Sequence, residues 1–448
     1  MGKILKTLVW LLILGGLIAG GFLTFYRFES QPPEVKISGL SPVLGRDFAL
    51  QIKIKDTRSG LRWVKVFLQQ ERQVAILKEE AFPVSFLKGS GVKEKLYRLR
   101  VKPVEKGFAE GPVSLVVEAC DGSWQHAFRG NLTRKTYQAR LDLTPPAVTL
   151  LSARVYIARG GSALVLYRVG EPVAQTGVYL NDHFFRGYAV KGHTYAALVG
   201  LPVTEKGLTR FTVMAQDQAG NRLEIPVNFY YQRRKYPVYR LRLSEAFLAR
   251  KMPEFLSRYP EAQKGSLLKT FLWVNEVLRR QNNQEIREIT SRLSKEPFRL
   301  QGAMKALPHA AKKSDFGEYR KYYYRGRKVS EAWHLGLDLA SVAGAEVPAA
   351  APGKVVFAGY LGIYGNTVIL DHGLGLYTLY AHLAGLEVPV GREVKAGEII
   401  GHTDTTGLAG GDHLHFSVLV QGVFVQPLEW LDPQWVRYRI LGPLSALR

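Results

Sequence analysis

Cysteine is almost missing: Cys120 is the only one in 448 residues. That excludes an intramolecular disulfide framework and any cysteine-only metal cluster. Acidic residues are scarce beside basic ones, 38 Asp and Glu against 61 Lys and Arg, a formal net charge of +23. An excess of that size suits an anionic surrounding and says nothing about fold. No strand-to-helix glycine fingerprint and no phosphate-cradling loop with its lysine occur, so nucleotide chemistry has no foothold. An HExxH helix is also missing, which excludes a metalloprotease built that way. The nineteen residues from Leu8 to Tyr26 lack any charge, with Lys3 and Lys6 before them and Arg27 after.

What is present begins with that uncharged run. As a helix it would reach about 28 Å, close to the hydrocarbon thickness of a bilayer. The leading lysines favour a cytoplasmic amino terminus and an exported remainder. The run is longer than the usual signal-peptide core and no clean small-x-small site follows it. Residues 1–30 are therefore read as an uncleaved single-pass anchor in the inner membrane, with the bulk periplasmic or extracellular.

The fold class expected for the rest is mainly β. PPEVKISG starts at Pro32 and PPAVTLLS at Pro145; VSLVVEACDG closes one stretch with Asp121, and RFTVMAQDQAGN closes the other with Asp217, Gly220 and Asn221. Starts 113 residues apart and ends 96 apart fit two diverged β-sandwich modules, 31–143 and 144–236. Both resemble the immunoglobulin-like modules of bacterial envelope proteins, which implies a spacer or docking role toward envelope partners. The basic run QRRKYPVYRLRLS reads as interdomain. A helical connector, 237–297, follows: Ser244 and Glu245 open a helix carrying Phe247, Leu248 and Met252. A second helix is marked by Leu267, Phe271, Val274 and Leu278. From Phe298 short alternating runs and glycine turns imply an antiparallel β domain, 298–448, with strands continuing to about Ile440.

Seven of the ten histidines lie beyond residue 300. In WHLGLDLA, an extended strand would put His334 and Asp338 on one face and Leu335, Leu337 and Leu339 on the other. In DHLHFSVLV, His413 and His415 share a face backed by Leu414 and Phe416. Two His and one Asp suffice for a zinc ion with one tetrahedral position left for water. Four candidates stand on these two segments, so one imidazole is spare for proton transfer. His382 ends a strand on the face shared with Thr378 and Tyr380, where it could orient water or stabilise an oxyanion. His372 and His402 read as hydrogen-bonded strand-end and surface residues. Tyr380 and Thr406 are candidates for lining a groove, and the YYY run at 322–324 is either a groove wall or a core edge.

The segments HLGLD, GNTVILDHGLGLYTLYAHL, VPVGREVKAGEIIGHTDTTG and GGDHLHFSV, in that order, resemble the zinc endopeptidases of the lysostaphin or LytM type, which cut peptide bridges in bacterial peptidoglycan. The resemblance covers about residues 315–435. It implies one zinc ion per chain held by His334, Asp338 and His415, with His413 and His382 assisting catalysis, and peptidoglycan peptide stems as substrate during cell-wall remodelling or division. Some relatives have lost their zinc ligands and only activate amidases, so the alternative is a non-hydrolytic scaffold or activator; retention of all five positions disfavours it. Ser417 stands where the family often has glutamate, and Asp404 where it more often has glycine. No nucleic-acid partner is expected, because no recognisable module for one accompanies the basic charge.

Overall fold

A computed structural model describes residues 2–447, and the chain is mainly β. Its contacts divide it into two compact units. One is the chain up to Pro146 with Pro172–Ala174 and Gln216–Leu223; the other is the remainder.

The first unit opens with the helix Gly2–Arg27, whose apolar side chains stay exposed; it is long and apolar enough to cross a membrane. After it, a three-stranded sheet (Glu34–Ser38, Phe48–Lys55, Glu94–Val101) and a five-stranded sheet centred on Gly111–Asp121 enclose one core. Strict alternation makes this possible. Leu50, Ile52 and Ile54 point inward while their neighbours in Phe48–Lys55 face water. Each fully buried aliphatic side chain stabilises the sandwich by roughly 1.5–3 kcal/mol. The two matching aspartates also perform matching work. Asp121 accepts from the backbone and side-chain nitrogens of Asn131 at 2.7 and 2.8 Å, and Asp217 does the same with Asn221 at 2.8 and 2.9 Å.

In the second unit, a β region holds two four-stranded sheets and the parallel pair Val155–Ala158 with Phe229–Gln232. The basic run read as interdomain departs from expectation. Val238–Arg242 alternates well enough to form a strand, and it pairs in parallel with Tyr319–Tyr324, which in turn pairs with Arg327–Trp333.

The connector helices are built as their spacing predicts. Ser244 caps Glu245–Arg258 by accepting the Phe247 amide at 3.1 Å, and Leu248, Met252 and Phe255 are buried. Ser266 caps the next helix, which runs from Leu267–Trp273 through a π-helical stretch, Val274–Leu278, into Arg279–Thr290. The polar run RRQNNQE stays helical because Asn282 and Ile286 extend the buried stripe of Phe271, Val274 and Leu278.

The terminal domain carries one large sheet. Its path runs Ala311–Ser314, Leu337–Ala340, Leu414–Val420, Leu376–Leu383, Asn366–Asp371, Gly353–Tyr360 and Glu393–Val394, all antiparallel. Strands do not continue to Ile440. After Val423–Val425, Gln426 and Asp432 each cap a short helix with proline in its first turn, and the chain stays helical to Ser445.

Candidate metal centre

Register brings the candidate ligands together. Asp338 lies directly opposite His415 on neighbouring strands, and Ala381 lies opposite His415 on the other side. His334 is not in a strand, contrary to the extended reading of WHLGLDLA: Arg327–Trp333 ends before it and Leu337–Ala340 begins after it. The break is held by hydrogen bonds, His334 N to Glu318 O at 2.9 Å and Gly317 N to His334 O at 2.8 Å. Gly336 in this break is a necessity of space. A Cβ there would meet His415 Nε2 at 2.5 Å and Ser417 Oγ at 2.6 Å.

Three atoms converge. His334 Nε2 is 2.9 Å from Asp338 Oδ1 and 3.1 Å from His415 Nδ1, and His415 Nδ1 is 3.0 Å from the same Oδ1. All three residues are buried. The outer nitrogens fix the tautomers. His334 Nδ1 lies 2.8 Å from the carbonyl of Asp315, to which it must donate, and His415 Nε2 lies 3.0 Å from Ser417 Oγ. With those outer protons in place, two imidazole lone pairs and a carboxylate oxygen face one another, an arrangement that needs a cation or a proton at its centre. Zinc bonds of about 2.0–2.1 Å in a tetrahedron give ligand-to-ligand edges of about 3.3 Å, close to the observed triangle. The donor set therefore fits one zinc ion.

The surroundings tune these groups. Burial alone would raise the Asp338 carboxyl, yet the imidazoles of His334, His413 and His415 hold it well below the usual carboxylate range. Its other oxygen accepts from Arg320 at 3.1 Å, and Arg320 also bonds Glu318. Burial pushes His415 down to about 4.

The two remaining histidines stand beside this triangle. His413 Nε2 is 3.4 Å from Asp338 Oδ1, and the His382 and His413 rings are 4.9 Å apart. Each is aimed by a carbonyl, His413 Nδ1 by Gly411 O at 2.8 Å and His382 Nδ1 by Thr406 O at 2.7 Å. Both Nδ1 atoms therefore carry protons. In the neutral rings Nε2 is an acceptor. Burial and the neighbouring His413 and His415 press His382 well below its ordinary value; burial also opposes the charged form of His413, but the bond and charge of Asp338 together with the Gly411 carbonyl raise it. His382 also has a positive φ of 62°, a conformation costly for a non-glycine residue and met at functional sites.

Not every candidate faces the centre. Tyr380, expected to line a groove, is 1% exposed; its hydroxyl accepts from the Ala350 amide and bonds Thr378 Oγ1, so it is a core residue. Thr406 acts through its backbone carbonyl on His382 and holds its hydroxyl against Leu383 O. His372 is buried against Pro352 O and Thr378, and His402 pairs with Glu387 at the surface. Of the YYY run, Tyr322 lines the cavity at the centre.

Composition and spacing gave no sign of Ser417 as a ligand's partner, of Arg320, or of Tyr364, whose ring lies 5.5 Å from that of His415. Ser417 follows His415 by two residues on one strand, whereas Arg320 and Tyr364 reach the centre from a separate sheet and from a short turn, Gly362–Tyr364. The centre opens into a cavity of about 330 Å³, walled partly by the connector through Phe247, Phe271 and Arg279. A second acidic group, Glu29, Asp56 and Asp121, has oxygens within 4.8 Å of one another in the first unit. These carboxylates accept backbone amides: Glu29 that of Ser59 from a distant loop, Asp56 that of Gly60 and Asp121 that of Ser123 from their own.

Residues 332–427 match Peptidase family M23. Over 107 residues the chain is 39% identical to the DD-carboxypeptidase/endopeptidase Mpg of Neisseria meningitidis, covering 23% of this chain and 25% of that protein. It is 36% identical over 96 residues to the murein hydrolase activator EnvC of Escherichia coli, covering 21% and 23%. The match thus spans about a quarter of the length of these relatives. Among solved structures, the catalytic domain of the antimicrobial peptidase lysostaphin from Staphylococcus simulans aligns at 31% identity and a TM-score of 0.26, over 29% of this chain and 98% of that one.

Proposed function

We propose that this chain, which carries at its C-terminal end a Peptidase family M23 domain of the LytM/lysostaphin type, is a membrane-anchored zinc endopeptidase that hydrolyses peptide cross-links of bacterial peptidoglycan. The observation that carries this reading is the convergence of His334, Asp338 and His415 within 3.1 Å, with two more imidazoles turned toward the same point. His334, Asp338 and His415 would hold the ion. When bound, zinc lowers the pKa of water and polarises a carbonyl.

The remaining chemistry belongs to side chains. His413 accepts a proton from the attacking water at Nε2 and returns it to the leaving amine, with Gly411 O stabilising the imidazolium through Nδ1–H. His382, neutral and fixed by Thr406 O, offers a lone pair at Nε2 and orients the water. That tautomer cannot donate to an oxyanion, so orientation is the role its geometry favours. Arg320 keeps Asp338 ionised and turned inward. The helix Gly2–Arg27 anchors the protein with its bulk outside the cytoplasm, and two immunoglobulin-like modules between anchor and peptidase act as a spacer. The basic balance suits a wall polymer with free carboxylates.

A second reading has one observation behind it: EnvC, similar over this same domain, is a murein hydrolase activator. The test is to incubate the zinc-loaded full chain, in detergent, with purified peptidoglycan and to analyse the products by mass spectrometry. Peptide-bond cleavage by the chain alone supports the hydrolase, whereas release only when an amidase is added supports the activator. His415→Ala should lose both zinc and cleavage. His413→Ala should keep most of its zinc and lose cleavage by at least about 100-fold, the scale of a general-base contribution; normal digestion by that variant would sink the assignment.

A further inference from the structure

Arg279 begins the last stretch of the second connector helix and stands at the meeting of two cavities. One is the 330 Å³ cavity of the metal centre. The other, about 1290 Å³, lies between that helix, the strand Arg327–Trp333 and residues His183 and Thr204 of the preceding β region. Among the described residues, Arg279 and Leu335 line both. The guanidinium is held in place by a neutral group: Nε and Nη2 donate to Asn275 Oδ1 at 3.1 and 2.9 Å, and Asn275 Nδ2 donates to Ser330 Oγ at 2.8 Å. Among the described residues no carboxylate lies within ion-pair distance of Arg279. Arg320, in the same cavity, is already committed to Glu318 and Asp338, and Arg242 is an exposed residue on the Val238–Arg242 strand.

Arg279 is half-buried beside Phe271 and Ile363, and the hydrogen-bond chain through Asn275 and Ser330 that holds it ends on Glu276, to which Ser330 Oγ donates at 2.8 Å, so no protein carboxylate among the described residues bonds the guanidinium itself. Asn275 occupies the Nε edge and leaves Nη1 and a second Nη2 hydrogen to donate. A planar carboxylate is the group that such an edge receives best. Arg279 lines the same cavity as His334, Asp338, His413 and His415, and so does Tyr364, whose ring centroid is 5.5 Å from that of His415.

We propose that Arg279 receives a free carboxylate of the substrate, so that the peptide preferred at this centre bears such a carboxylate close to the scissile bond. This deepens the hydrolase reading and rests on it for the identity of the reaction. Arg279 is on this view a specificity residue that takes no part in proton transfer.

The experiment compares the zinc-loaded full chain with Arg279→Gln and Arg279→Lys on a synthetic pentapeptide ending in D-alanyl-D-alanine, supplied as the free acid and as its C-terminal amide. The wild type should favour the acid at least tenfold in kcat/KM, expressed in KM. Arg279→Gln should bring acid and amide within twofold of one another with kcat and zinc content kept, and Arg279→Lys should restore part of the preference. Calorimetric binding of both peptides reads the same preference without turnover. Preferential binding of the acid with no cleavage sustains the carboxylate site and sinks the hydrolase. Cleavage without preference, a preference that survives in Arg279→Gln, or equal or undetectable binding of both peptides by the wild type overturns the carboxylate site.

Discussion

Two imidazoles and a carboxylate can meet only if nothing stands between the segments that carry them, and Gly336 is where that is decided. A methyl group at this position would come within 2.6 Å of both His415 Nε2 and Ser417 Oγ. Gly336→Ala is expected to turn the His415 ring or break its bond to Ser417. Losing such an outer-shell contact typically costs 10–100-fold in metal affinity, to be read by competitive zinc titration; unchanged affinity would show that the strands yield freely. The histidines themselves were legible in the sequence, because HxH spacing on a strand needs no tertiary knowledge. Gly336 and the Thr406 carbonyl were not, since each lies outside the strands and acts on a residue distant in sequence; Ser417, two residues on from His415, continues the HxH spacing on the same face of one strand. Tyr380 shows the converse error: sharing a face with His382 does not make a residue part of a groove when that face, at its position, is packed core.

Helix spacing located the connector, but amphipathicity cannot say what an apolar face packs against. Here the answer lies in Glu245–Arg258. Glu254 accepts from the Tyr360 hydroxyl at 2.9 Å and from the Gly407 amide at 2.8 Å, and Lys251 donates to Thr405 O at 2.6 Å. Those bonds grip the turn whose Thr406 carbonyl aims His382. The connector thus reaches the centre twice, through this turn and through the cavity wall. Glu254→Ala should loosen His382 and lower kcat by about 10-fold or more while zinc content stays unchanged, the pattern of a lost outer-shell support. The competing idea is that the connector only covers the site. It requires the opposite sign, and a rise in kcat for Glu254→Ala would favour it.

At the scale of the whole molecule, the alternating runs identified a β-rich chain with a terminal domain, yet its dependence on distant segments was hidden. The β region before the connector meets the terminal domain at a buried ionic cluster. Glu429 accepts from Arg234 at 3.0 Å and from the Ser162 amide at 2.8 Å, and Trp430 Nε1 donates to Ser162 Oγ at 3.0 Å. None of these partners is near in sequence, so no local pattern announces them. Burial pushes the Glu429 carboxyl up, and Arg234 with Ser162 pulls against it. Removing the cation by Arg234→Ala leaves a buried carboxylate with only neutral donors. Breaking a buried pair costs about 3–5 kcal/mol, and the lower end applies because the Arg234 side chain is 28% exposed. The expected result is a lower melting temperature for the unit that holds the candidate metal centre, with Arg234→Ala/Glu429→Gln recovering part of the loss. If the single variant melts like the wild type, the cluster contributes nothing to joining these segments, and the strand pairing of Val238–Arg242 with Tyr319–Tyr324 must carry that load instead.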